Sequence, residues 1–378
     1  MGNRSSCCTS MVPAAKDRRR PARSGGNSSY PYESSESEGA SMPRNGEQVR
    51  GVSEREGFGE IKHGRVARWR GSVWPSRMDM DRFGFCVRER DGEAVVAAGI
   101  FDGHGIAGTE TWGHEIAEAA AKHVVLGAVA WRASDDSTAG LEKLFENFQR
   151  RHEQTYDEQI AKRVEAERLK FEQENGFSSG PRSLPAEGGT TATVVVVRGD
   201  EIVAAWVGDS RAVLCRVDDG KLQAVPLTVD HNVGANAEER DRCEAAGGMI
   251  LGRFVGAPSA DGMLQVTRSL GDRAHHEGNV VLSKPEIATF KIDPRDSFIV
   301  VASDGIWESL PQLQVLTVLH RALAASGKSS KDQQRALETG VEKLFDKARD
   351  NVRKNNLKQD DCSVVVLVFR RQDKTPNR

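Results

Sequence analysis

The chain has no long hydrophobic run. Its apolar stretches, Ala94–Phe101 and Thr193–Val197 among them, fall far short of the ~18 consecutive residues a spanning helix needs, so a transmembrane helix is excluded. Cysteine is scarce too: six residues in 378, widely scattered, cannot make a disulfide framework. Cys86, Cys215, Cys243 and Cys362 lie in or near apolar stretches and read as buried free thiols in a reducing compartment. Net charge is almost nil, with 53 Lys+Arg against 55 Asp+Glu, which argues against a whole-protein nucleic-acid binder. Internal repeats are also missing. What is present, 38% hydrophobic and 29% charged residues, suits a soluble intracellular chain with one large domain or two smaller ones.

The small net charge hides an uneven distribution. Before Ser24 stand Arg4, Lys16, Arg18, Arg19, Arg20 and Arg23 against the single acid Asp17, a local excess of +5. Residues 1–57 are rich in Ser, Gly, Pro and Arg without helical or strand periodicity. They cannot bury enough apolar surface to offset ordering entropy, and read as a disordered arm. Gly2 with Ser6 fits the myristoylation pattern, and Cys7 and Cys8 follow where palmitoylation would occur. One myristoyl chain binds membranes only with a constant of about 10⁴ per molar, but a second acyl chain or a basic cluster makes attachment durable. The expectation is an acylated chain on the cytoplasmic face of a membrane, the plasma membrane first; the plain alternative is an unmodified solvated tail.

Strand-like stretches run over Phe83–Val87, Ala94–Phe101, Thr191–Val197, Ile202–Val207, Ala212–Val217, Phe298–Ala302 and Val364–Phe369. The turn signals Asp91-Gly92, Gly199-Asp200 and Asp218-Asp219-Gly220 are too short for crossovers and predict antiparallel hairpins. Helical periodicity covers Thr109–Leu126, about 141–175 and Leu337–Val352. The end of the 141–175 segment is mostly charged and is expected to project into solvent. Gly176–Gly189 reads as a flexible linker. Hairpins surrounding long helices predict an α+β domain, two sheets between helical layers.

Chemistry is suggested by acidic turns at strand ends: Asp102-Gly103-His104-Gly105, Gly208-Asp209-Ser210, Ser303-Asp304-Gly305 and Asp360-Asp361. One Asp-Gly turn is commonplace; four at strand termini, one carrying His between glycines, are not. Convergent carboxylates need hard cations to neutralise them, and an oxygen-only set favours Mg²⁺ or Mn²⁺ over zinc. Two such ions suit an in-line displacement at phosphorus.

Taken in order, these turns with Gly189-Thr190-Thr191-Ala192, Trp206–Ala212, Leu227–His231, Val266–Asp272, Lys284-Pro285-Glu286 and Ser303–Trp307 resemble the PPM, or type 2C, family of metal-dependent protein serine/threonine phosphatases. The similarity runs from about Phe58 to Phe369. It implies a four-layer αββα sandwich over 58–371, a flap lobe at about 231–262, the helical insert at about 141–175, and a 372–378 tail. It further implies that Asp102 bridges two metals, that Gly103 ligates through its carbonyl, and that Asp304 and Asp360 complete the first metal's ligands. Asp209 resembles the acid that holds a third ion with Asp304, while Asp272 supports the site or flap. His104 resembles the general acid; the plainer reading is a histidine that only hydrogen-bonds in its turn. Arg77 corresponds to the phosphate clamp and Asp81 to a water-orienting acid. Met80 stands where many members carry a polar residue; it cannot ligate a hard cation, and Asp79 is its candidate substitute.

The implied reaction is attack of metal-activated water on phosphoserine or phosphothreonine without a covalent intermediate. Expected partners are phosphoproteins and a membrane surface, with no nucleic acid and a monomeric chain. Cysteine-based phosphatases are excluded because no cysteine has Arg six positions on. The rival reading is a catalytically silent member acting as a membrane-tethered binding module.

Overall fold

The computed structural model describes residues 64–71, 80–90, 93–105, 113–131, 138–175, 188–260, 262–327, 329–357 and 360–369. The arm with Gly2, Cys7 and Cys8, the positions Arg77 and Asp79, most of the 176–189 linker and the tail lie outside the described residues.

In chain order the strands and helices are β1 (Gly64–Gly71), β2 (Arg82–Arg90), β3 (Glu93–Phe101), β4 (Gly103–His104), α1 (Gly113–Ala130), α2 (Ala139–Asn175), β5 (Gly189–Thr190) and β6 (Ala192–Arg198). There follow β7 (Glu201–Val207), β8 (Arg211–Asp218), β9 (Lys221–Pro226), α3 (Ala237–Ala245), β10 (Met249–Leu251), β11 (Phe254–Gly256), β12 (Leu270–Gly271) and α4 (Arg273–His276). The last are β13 (Glu286–Lys291), β14 (Asp296–Ala302), α5 (Asp304–Trp307), α6 (Gln312–Ala324), α7 (Ser330–Asn355) and β15 (Cys362–Phe369).

The central strands are apolar at nearly every position because both of their faces are covered. Alternate side chains of a strand point to opposite faces. Val194 and Val196 of β6 pack under α1 and α2, whereas Val195 and Val197 meet the other sheet. In β14, Phe298 and Val300 pack under α6 and α7, while Ile299 and Val301 face the inter-sheet core. Two antiparallel five-stranded sheets result, ordered β13-β7-β6-β3-β2 and β1-β15-β14-β8-β9, with helices outside each. This is the expected α+β, αββα sandwich. Each fully buried Val, Ile or Phe contributes roughly 1.5–3 kcal/mol over exposure, which makes the sheet pair a rigid platform.

The hairpins form as the turn residues required: Glu89↔Ala94 belongs to β2–β3, Arg198↔Glu201 to β6–β7 and Asp218↔Lys221 to β8–β9. Helix α1 runs past its expected end at Leu126 to Ala130. Helix α6, and strands β9 and β13, have no counterpart among the sequence expectations. The two strands are half-exposed edges with mixed residues, so their apolar signal is weak. Cys86, Cys215, Cys243 and Cys362 are free and buried. Among the described residues no helix is long and apolar enough to cross a membrane.

Beyond β9 the chain builds a small lobe around Val233, Cys243, Val255, Val280 and Val281. It is fastened by Glu239 of α3, which is 3% exposed. Its carboxylate accepts from Arg242 Nε and Nη2 at 3.2 and 2.9 Å, Arg268 Nε and Nη2 at 3.1 and 2.7 Å, and Thr267 Oγ1 at 2.5 Å. Burial alone would raise the pKa of Glu239, but these donors overcome it and hold the value at about 2. Arg268 also reaches Glu286 Oε1 of β13 at 3.0 Å, so one guanidinium bolts the lobe to the sandwich. Truncation would leave two guanidinium groups facing a void. Glu239→Ala is expected to lower stability by about 3–5 kcal/mol and to speed proteolytic cleavage in 231–282 before the sandwich; a melt and a timed digest check both.

Candidate active site

Strand register explains why distant acids meet. Arg82 opposes Phe101, Ile100 opposes Thr193 and Ala192 opposes Val207 in one sheet. Ala302 opposes both Arg211 and Val364 in the other. The end of β3, the β7–β8 turn, the end of β14 and the start of β15 therefore share one end of the sandwich. Those four points carry Asp102, Asp209, Asp304 and Asp360, and Asp81 lies just before β2.

The carboxylates act on each other. Burial first, then Asp81, Asp304, Asp360 and Asp209, push Asp102 well above the usual carboxylate range. Asp304 is raised likewise by burial and by Asp209, Asp360 and Glu308. Asp209 rises to about 6 through burial, Asp230 and Glu308, opposed by His104. Two cross-sheet ties hold this end together. Ser303 Oγ donates to Asp81 Oδ2 at 2.8 Å and accepts from Ser363 N at 2.9 Å. Asp361, not singled out from sequence, accepts the backbone N–H of Met80 at 3.0 Å. The Met80 carbonyl in turn sits so close to Gly103 that a Cβ there would come within 2.7 Å of it.

His104 is placed by a second, smaller sheet, ordered β12-β5-β4. Its Nε2 lies 2.6 Å from Asp272 Oδ2, although His104 ends one edge strand, β4, and Asp272 follows the other, β12. Gly189 in the middle strand makes this reach possible, because a Cβ there would overlap the Asp272 carboxyl group. Asp272 also accepts from Ser269 Oγ at 2.6 Å. Burial would raise its pKa, but His104, Ser269 and His275 pull it below the usual value, so it stays a carboxylate. Sequence reading gave Asp272 a supporting role without naming its partner; the spacing of motifs carries no signal of which side chain crosses a glycine.

The donor set fits a hard divalent cation. It is all oxygen, its members destabilise each other when ionised, and Asp304 Oδ1 is buried with no hydrogen-bond partner among the described residues. Among those residues no three His, Cys, Asp or Glu side chains form a closed ligand cluster. Carboxylates draw onto one point only around a positive charge.

The molecule is thus an αββα sandwich with a group of interacting carboxylates at one end. A family model described as Protein phosphatase 2C matches residues 62–357, and the chain belongs to that family. Protein phosphatase ppm-1.G of Caenorhabditis elegans is 39% identical over 161 residues, 40% of this chain and 30% of its own length. Probable protein phosphatase 2C 34 of Arabidopsis thaliana is 28% identical over 297 residues, 75% of each. The solved serine-threonine phosphatase 2C from Toxoplasma gondii shares the fold with a TM-score of 0.57 at 16% identity, over 87% of this chain and 99% of that one. The chain spans less than two thirds of the first relatives it matches, 30% of the nematode protein and 42% of Probable protein phosphatase 2C 71 of Arabidopsis thaliana.

The repulsion has a thermodynamic consequence. With a folded pKa of about 6 against 3.8, Asp209 binds a proton more tightly in the folded chain. Its contribution is therefore most favourable below pH ~4 and is lost as pH rises through ~6. Without divalent metal, Asp209→Asn is expected to stabilise the protein by about 1–3 kcal/mol at pH 7.5 and by almost nothing at pH 4; urea melts at the two pH values in chelator measure the difference.

Proposed function

We propose that the chain is a divalent-metal-dependent protein serine/threonine phosphatase that hydrolyses phosphoserine and phosphothreonine directly, without a covalent intermediate. The observation that carries this reading is the convergence of Asp102, Asp304, Asp360 and Asp209 at one sandwich end, with an orphaned carboxylate oxygen among them. Asp102, Asp304, Asp360 and the Gly103 carbonyl are the groups that would hold two Mg²⁺ or Mn²⁺ ions, and Asp209 with Asp304 would serve a third. When bound, such ions supply Lewis-acid stabilisation of phosphoryl oxygens and acidify water.

The protein's own groups do the rest. Asp81, anchored by Ser303, orients water at the cleft. His104, held by the Asp272 carboxylate, delivers a proton to the departing serine or threonine oxygen. Arg77 is the phosphate clamp, with the bidentate fork that a phosphate dianion matches, and Asp79 is the substitute for Met80. A thiol route is disfavoured by the state of Cys362 beside the acids. Burial, then Asp81, Asp304 and Asp360, push its thiol far up, so no thiolate forms near neutral pH.

Release of phosphate from a phosphothreonine peptide tests this reading. Turnover is expected with Mn²⁺ or Mg²⁺ and none in chelator. Asp102→Ala is expected to lose more than the roughly 10–100-fold that even outer-shell changes at metal sites cost. A parent protein without metal-dependent turnover would point instead to the silent binding module.

The basic arm is proposed to tether this enzyme to the cytoplasmic face of a membrane through acyl groups on Gly2, Cys7 and Cys8. Support comes from the local +5 charge and the adjacent acceptor residues. Gly2→Ala is expected to move the protein from the membrane to the soluble fraction, and unchanged partitioning would refute the anchor.

A further inference from the structure

Strand β12 is an outer strand of the small sheet that holds His104. Its free edge exposes the N–H and C=O of Gly271, groups that need partners when buried. Both are taken by one side chain from α2. The Gly271 N–H donates to Gln149 Oε1 at 2.9 Å, and the Gly271 carbonyl accepts from Gln149 Nε2 at 2.9 Å. A primary amide offers the same donor and acceptor as strand backbone, so Gln149 stands in for a fourth strand. It is 5% exposed, and Nε2 also donates to Glu153 Oε1 at 3.0 Å, which fixes the amide's sense.

The segment being held is one that cannot hold itself. Gly271 and Asp272 have φ of +85° and +44°, consecutive left-handed residues, and such backbone persists only where its surroundings over-determine it. The segment is fastened again one residue on, where Arg273 contacts Asp157 of α2. Between these points Asp272 projects across Gly189 to His104. On the same helix Phe148 and His152 stack at 6.2 Å and 6°, and Phe145 and Phe148 are fully buried, so α2 presents Gln149 from a rigid base.

We infer that Gln149 is a positioning residue for phosphate-ester hydrolysis: its amide fixes the Gly271 backbone so that the Asp272 carboxylate stays on His104. This rests on the proton-delivery role of His104 proposed above. Helix α2, although remote in sequence from the acidic turns, thereby sets the geometry of the proton donor.

The test compares two substrates that differ in their need for a proton. A phosphothreonine peptide expels an alkoxide and depends on the donor; p-nitrophenyl phosphate expels a stabilised phenolate and does not. In Mn²⁺, Gln149→Met, which keeps side-chain length but removes both hydrogen bonds, is expected to lower kcat on the peptide about 10–100-fold, within the ~10²–10⁴-fold a general acid supplies. KM and the aryl phosphate rate are expected to change less than about twofold. The ratio of the two rates does not depend on the fraction of folded protein, so partial misfolding cannot imitate the effect. Equal losses on both substrates, or no loss on either, would overturn the inference. His104→Ala separates it from the reading beneath: selective loss there but not in Gln149→Met rejects the positioning role alone. Equal loss on both substrates in His104→Ala rejects the proton-donor reading and the inference with it.

Discussion

Carboxylates held together against their own repulsion are the constraint on which this structure turns. Asp102 and Asp304 are each pushed up by burial and by the acids around them. A loose chain would relieve that cost by moving the loops apart. The two sheets prevent it, because Asp102, Asp304 and Asp360 are within a residue or two of strands buried on both faces. Core burial is what tolerates the repulsion, and divalent cations are what removes it. Stability and metal binding are therefore opposed in the empty protein and cooperative in the loaded one.

The strongest strands were legible because they are doubly buried. Continuous runs such as Ala94–Phe101 and Thr193–Val197 signal burial whatever the topology, and the short turns after them specified antiparallel pairing. Strands β9 and β13, at outer edges, carry Lys221, Gln223, Glu286 and Thr289 and gave no such signal. Short strands β4, β5, β10, β11 and β12 were invisible for a different reason: two or three residues cannot establish a period. The acidic turns stood out because Asp-Gly at a strand terminus is a local pattern, and the fold brings their aspartates together.

What the sequence did not reveal are relationships made by absence or by a single side chain. Gly189 matters for the Cβ it lacks, since the Asp272 carboxyl group occupies that space. Gln149 is one amide on a helix crowded with charged residues, and nothing in its neighbourhood distinguishes it from a solvated position. Asp361 looked like the second half of an Asp-Asp pair but binds the Met80 backbone. Met80 cannot offer a ligand atom from its side chain, yet its main chain is held beside Gly103, so the backbone of this departure from the family pattern still packs against the site.

These supports converge on one short stretch. Thr267 and Arg268 are held by Glu239 of the lobe and Glu286 of β13. Ser269 bonds Asp272, Gly271 is gripped by Gln149, and Arg273 contacts Asp157. Backbone with two consecutive left-handed residues, Gly271 and Asp272, persists only where its surroundings over-determine it, and the local Ser269–Asp272 bond is supplemented by ties from outside. Three elements from separate parts of the chain supply them. The lobe and α2 therefore both bear on the stretch Thr267–Arg273, which carries Asp272, the hydrogen-bond partner of His104.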